Sequence, residues 1–247
     1  MPLRQRLMRA YFNTVYNRLY DVTTGKLPRY IAALGGLIAS LRANHGDRVL
    51  CVGLGTGNEL VYLRKRTPGV EAVGIDISSA ALVRASRKAA TQEARTSLAF
   101  MDAGRLGFAT SSFDRVLCYH VTDFMDDVEP SVKEMLRVLK PGGRFVISFP
   151  ADGEGIGLGM GLLSHALGQK SRSRSLAAAL HSTGVALLTG LVYFPLMLRK
   201  RPTTYRTEQL LALVKSHGAA VCAIETDALY RDHLVVGDKK EGDPIAA

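Results

Sequence analysis

The sequence predicts a doubly wound α/β fold, built on a mostly parallel seven-stranded sheet with helices on both faces. Three observations carry this reading. Apolar runs alternate with helix-like stretches between residues 48 and 150, the pattern of consecutive βαβ units. A glycine-rich turn, Gly53-Leu54-Gly55-Thr56-Gly57, follows the first apolar run directly. After a long interruption, residues 207–239 restore a helix and two strands.

The elements follow in order. A helical arm is expected over residues 1–45, where Leu7, Tyr11, Val15 and Leu19 recur at helical spacing as a core-contact stripe. Residues 48–54 read as the first strand and 58–66 as the helix after the glycine turn, with Asn58 near its N-cap. Residues 70–77 form a second strand, 79–92 an amphipathic helix, 97–103 a third strand and 113–121 a fourth. The helix over 130–140 has Pro130 in its first turn and Pro141-Gly142-Gly143 to end it, ahead of a fifth strand over 143–150. A helix over 207–218 and strands over 219–227 and 232–239 complete the sheet. The whole reads as a single domain: an arm (1–45), a cofactor-binding core (46–150), an apolar and basic insertion (151–205), and the last helix and strands (206–240).

Composition narrows the setting. Of 247 residues, 47% are hydrophobic and 22% charged, a soluble globular balance rather than a disordered one. Cys51, Cys118 and Cys222 lie in apolar runs without metal-type spacing, so buried, reduced thiols are expected. No apolar segment follows the basic N-terminus, so no secretory signal is expected and a cytoplasmic location is. The net charge of +10 is localised: residues 1–48 carry +6 and residues 170–201 another +6, leaving −2 for the remainder. Such segments suit an anionic partner, a membrane surface among them.

The glycine turn suits close approach of the backbone to a nucleotide cofactor. Asn58 stands where a dinucleotide fingerprint would place its third glycine, and no G-K-[ST] follows to make a P-loop. Asp76 lies nineteen residues beyond Gly57, at the end of the second strand, where a carboxylate can accept from both ribose hydroxyls.

Four blocks in order, "VLCVGLGTG", "VGIDIS", "MDAGRLGFATSSFDRVLCYHV" and "EMLRVLKPGGRFVIS", resemble the class I S-adenosylmethionine-dependent methyltransferases, close to their UbiE-like small-molecule branch. The resemblance implies a Rossmann-like fold and S-adenosyl-L-methionine as cofactor, cradled by Gly53, Gly55 and Gly57. It further implies Asp76 on the ribose, Ile77 on the adenine face, and Asp102 with the Ala103 N–H at the adenine edge. Tyr20, in a Tyr20-Asp21 pair on the arm, is similar to a residue that closes over cofactor and substrate. Cys51 departs from the pattern, which has an acid there to help orient the cofactor's methionine end.

Tyr119 and His120, after the fourth strand, are the catalytic candidates. His120 is placed to act as a general base on a phenol, or only to pack and hydrogen-bond. No [DN]-P-P-[YW] sequence occurs, so a nucleic-acid acceptor is not expected. Residues 175–198 contain no charged side chain and are flanked by "KSRSR" and "RKR". A bilayer crossing needs about 20 apolar residues, but one crossing would separate the last two strands from their sheet. A lid over a greasy pocket or an interfacial segment on an anionic membrane fits better. The expected substrate is a hydrophobic small molecule, a quinone precursor or a phospholipid headgroup. The rivals are a polar or natural-product acceptor and a non-catalytic binding protein that keeps the fold.

Overall fold

The computed structural model describes residues 10–23, 28–90, 96–125, 127–151, 204–226 and 232–241. Seven strands form one sheet in the order β3-β2-β1-β4-β5-β7-β6. They are β1 (Arg48–Val52), β2 (Glu71–Asp76), β3 (Thr96–Phe100), β4 (Phe113–Cys118), β5 (Leu139–Phe149), β6 (Ala219–Thr226) and β7 (His233–Lys239). The first five run parallel, and β7 lies antiparallel between β5 and β6.

The central strands β1, β2, β4 and β5 are largely buried because both faces are covered. Alternate residues face opposite ways. Leu50, Val52, Val116, Cys118, Phe145 and Ile147 pack under helices α5 (Glu129–Val138) and α6 (Thr207–Ser216), through Met135, Leu136, Leu210 and Val214. Val49, Cys51, Leu117 and Val146 face the other way, onto α2 (Pro28–Leu41) and α3 (Asn58–Arg66). Helix α2 buries Tyr30, Leu34, Leu37, Ile38 and Leu41, a stripe at helical spacing. Helix α4 (Ser79–Ala90) adds Ala85 to the same layer.

Several local expectations shift. The arm winds residues Phe12–Tyr16 as a π turn before α1 (Asn17–Thr23), so the expected α-helical spacing is interrupted there. Leu7 lies outside the described residues. The Val15 side chain also lies outside what is described, so the stripe is not tested; among the described side chains tyrosines line up, with ring centroids 6.1 Å apart for Tyr11 and Tyr16, 5.3 Å for Tyr16 and Tyr20, and 5.9 Å for Tyr20 and Tyr30. Asn58 does lie beside the N-cap of α3, as its first helical residue, and Gly57, at φ 85°, holds the cap position. Helix α5 ends at Val138, two residues early, because Leu139 already pairs with Phe113 in the sheet. The Pro141-Gly142-Gly143 stretch then takes up the register shift before Arg144 pairs with Arg115. Cys51 and Cys118 are buried, but Cys222 is exposed, since β6 is an edge strand and the thiol lies beside Asp238.

The apolar segment 175–198 lies outside the described residues, and with it the choice between lid and membrane surface. Its flanks are described. The Tyr205 N–H donates to the Pro150 carbonyl at 3.1 Å, and the Tyr205 and Phe149 rings meet at 5.9 Å. The insertion therefore departs and returns at one point, the C-terminal end of β5. Among the described residues no helix is long and apolar enough to cross a membrane. Phe145, fully buried mid-sheet, tests the core: Phe145→Ala should lower stability by about 3–5 kcal/mol in urea unfolding.

Candidate active site

Strand order reverses between β1 and β4, and a doubly wound sheet opens a crevice at the C-terminal ends of the strands at such a point. The glycine turn follows β1 and His120 follows β4, so both stand at that crevice.

The three glycines do different work. All have positive φ, at 63° for Gly53, 56° for Gly55 and 85° for Gly57. A Cβ on Gly53 would collide with Val121 at 2.2 Å, so this glycine lets the β1 loop meet the β4 loop. A Cβ on Gly57 would press on Ala85 at 3.0 Å, so this one brings α3 against α4. A Cβ on Gly55 meets nothing within 4 Å. Open space therefore lies over the middle of the turn.

Asp76 braces that turn. Its carboxylate accepts the Gly55 N–H at 2.8 Å through Oδ2 and the Ser78 N–H at 2.7 Å through Oδ1. A carboxylate has about four acceptor positions, so two bonds leave capacity for a ligand. Burial raises its pKa, while the N–H groups of Gly55, Ser78 and Ile77 pull the other way. Ile77 is 58% exposed, so it is not a core residue. Asp102 caps a turn, accepting the Gly104 N–H at 2.8 Å, with Ala103 buried behind it.

The arm crosses this end of the sheet. Asn13 and Asn17 both bond the Ser78 hydroxyl, at 2.5 and 3.3 Å. Asp21 accepts from the Thr56 hydroxyl at 2.8 Å and from Lys88 at 2.7 Å. Lys88 also donates to Asn58 at 2.7 Å and Thr56 at 3.1 Å, tying arm, glycine turn, α3 and α4 together. Tyr20 sits in the tyrosine row, edge-on to Tyr30.

At the other end, His120 takes a left-handed conformation, φ 55°. Its N–H donates to the Ser148 hydroxyl at 2.7 Å, and the Thr122 hydroxyl donates to the Ser148 carbonyl at 2.6 Å. Its Nδ1 lies 2.9 Å from Asp232 and 3.4 Å from Asp123. Tyr119 is buried, its ring centroid 3.9 Å from that of His120, so it backs the imidazole. Desolvation opposes the imidazolium, but hydrogen bonds and charge from Asp123 and Asp232 outweigh it and raise His120 to about 9.

The candidate residues thus separate into two groups. Gly53, Gly55, Gly57, Asp76 and Ile77 gather at one end of the crevice, and Tyr119 and His120 stand at the other. The partners of His120 escaped the sequence reading. Asp123 sits in the short helical turn Thr122–Phe124. Asp232 precedes β7, whose pairing with β5 sets His233 opposite Phe149 and brings Asp232 to His120. Only the sheet order could have revealed it.

Residues 50–147 match the methyltransferase domain family. That stretch is therefore similar to methyltransferase domains. The chain is 36% identical over 141 residues to the demethylmenaquinone methyltransferase of Deinococcus radiodurans, covering 57% of this chain and 56% of that protein. It is 37% identical over 134 residues to the phosphatidylethanolamine N-methyltransferase of Cereibacter sphaeroides, covering 52% and 62%. The chain spans about half the length of the curated relatives it matches. Its fold is also that of magnesium protoporphyrin IX methyltransferase from Synechocystis, solved with bound S-adenosylhomocysteine. The TM-score is 0.63 at 16% identity, over 96% of this chain and all of that one.

A histidine whose folded pKa is raised stabilises the fold fully below its unfolded value and loses that contribution as pH rises through the folded one. Stability owed to His120 should therefore be complete below pH 6.5 and be lost toward pH 9, on the order of 3 kcal/mol. Denaturant midpoints at pH 6 and 9.5 should differ more in the wild type than in His120→Gln.

Proposed function

We propose that this chain transfers the S-adenosylmethionine methyl group to a hydrophobic small molecule, with the phenolic ring of a quinone precursor as acceptor. The observation that carries the reading is His120 clasped between Asp123 and Asp232 at the crevice. A phenol loses its proton near pH ~10. An imidazole held at about 9 matches that proton far better than one at its ordinary value. The two carboxylates steady the imidazolium that results, and Tyr119 behind the ring keeps its plane fixed.

The residues fit the cofactor. Open space above Gly55 leaves room for a ligand over the turn, and the remaining acceptor positions of Asp76 suit two ribose hydroxyls. The outward side chain of Ile77 offers an apolar face for adenine, and Asp102 with the Ala103 N–H would read its edge. Tyr20 and the arm would close over it. When bound, S-adenosylmethionine supplies a methyl group already activated on a sulfonium. The chain's part is alignment, exclusion of water and removal of a proton. The insertion begins and ends beside this crevice, which supports its reading as cover for a greasy acceptor. Contact with an anionic membrane through residues 170–201 belongs to the same proposal.

The Cereibacter relative favours a second acceptor, a phospholipid headgroup, whose phosphate would suit the basic segments. Radiolabelled methyl transfer into a whole-lipid extract separates the two. Label in quinone-type species supports the first reading, label confined to phospholipid replaces it with the second, and no label sinks the enzyme reading.

Two measurements test the residues. Asp76→Ala should weaken S-adenosylmethionine binding by roughly 30-fold in calorimetry; intact affinity would remove Asp76 from the ribose. The methylation rate of the wild type should climb with pH to a plateau above about 9. In Asp232→Asn that limb should move toward the ordinary histidine range. A profile that the substitution leaves in place would contradict the base role.

A further inference from the structure

The cofactor ends in an α-amino acid, and its ammonium group cannot be buried without a counter-charge. The family that the sequence resembles has an acid for that end at the position of Cys51, on β1. Cys51 is 2% exposed, on the face covered by α2 and α3. Burial pushes its thiol far above the usual range, so it stays neutral. The carboxylate must come from elsewhere.

Building on the cofactor reading above, we propose that Glu59 holds the cofactor's ammonium group, in place of the acid that Cys51 does not provide. Glu59 stands in the first turn of α3, two residues past the left-handed Gly57. That turn is the positive end of the helix dipole, which favours a carboxylate. Its side chain is half-buried and lies within electrostatic range of Cys51, on the strand beneath. It is also within electrostatic range of Asp76 and His120, one from each end of the crevice.

The other carboxylates around the crevice are engaged. Asp21 pairs with Lys88, Asp123 and Asp232 hold His120, and Asp76 braces the glycine turn. Lys88 is near enough to influence Glu59, but its ammonium is bonded to Asp21, Thr56 and Asn58. Among the described residues no cation makes an ion pair with Glu59. Burial, the largest influence on its carboxyl, raises it to about 7. Arrival of a cation would ionise it and release a proton.

Calorimetry with two ligands isolates the effect. S-adenosylhomocysteine carries the amino-acid end, and 5′-methylthioadenosine keeps the nucleoside and thioether but lacks it. Glu59→Gln should weaken the first by roughly 10- to 100-fold and leave the second unchanged, which also reports that the variant is folded. Adding Cys51→Asp to Glu59→Gln should recover at least tenfold. In the wild type at pH 6.5, S-adenosylhomocysteine binding should release a proton, seen as a heat that varies with the buffer's ionisation enthalpy. Equal effects on both ligands, no recovery with Cys51→Asp, or no proton release in the wild type would overturn the assignment. A wild-type chain that binds neither ligand would instead overturn the cofactor reading on which it rests.

Discussion

Strand β1 pairs in parallel with β2 on one side and β4 on the other, so the chain crosses the sheet in opposite senses from this strand. The loops leaving β1 and β4 consequently part over a gap instead of packing on each other. They meet where Gly53 makes room for Val121. The braced glycine turn lies on one side of that contact and the clasped histidine on the other. A reaction that needs a donor and an acceptor brought end to end finds its two platforms on adjacent, hydrogen-bonded strands.

The backbone at His120 illustrates how such a platform is held. A left-handed conformation at a non-glycine residue costs roughly 1–3 kcal/mol. It persists because Ser148 fixes the His120 N–H, Thr122 fixes the Ser148 carbonyl and Asp232 fixes the ring. Three elements, β4, β5 and the lead into β7, converge on one side chain. The antiparallel β7 matters here, since a parallel last strand would deliver its opposite end to the crevice and leave the histidine without its buried acid.

What the sequence makes legible is whatever depends on local spacing. The βαβ alternation, the glycine turn and an acid at the end of the second strand all lie within short windows, and the structure assembles them as expected. Asp232 was not legible, because its partner is far away in the chain and the pairing is created by the β5–β7 register. The exposure of Cys222 was equally hidden, since apolar neighbours do not distinguish an edge strand from a central one. The early end of α5 had a similar cause: Leu139 was claimed by a sheet partner whose pull overrode the proline–glycine stop. Cys51 was visible as an exception from the start, but its meaning depends on what α3 places above it.

Lys88 gives the molecule a genetic property as well as a structural one. A single ammonium is shared among Asp21 of the arm, Thr56 of the glycine turn and Asn58 of α3. Positions 21, 56, 58 and 88 therefore form one coupled unit, in which the energies of substitutions do not add. Once Lys88 is lost, further changes at the other three remove less than they would alone, although the Thr56–Asp21 hydrogen bond remains. Sequences drifting under selection would be expected to exchange these four together, so that covariation among them would trace the seam between arm and sheet.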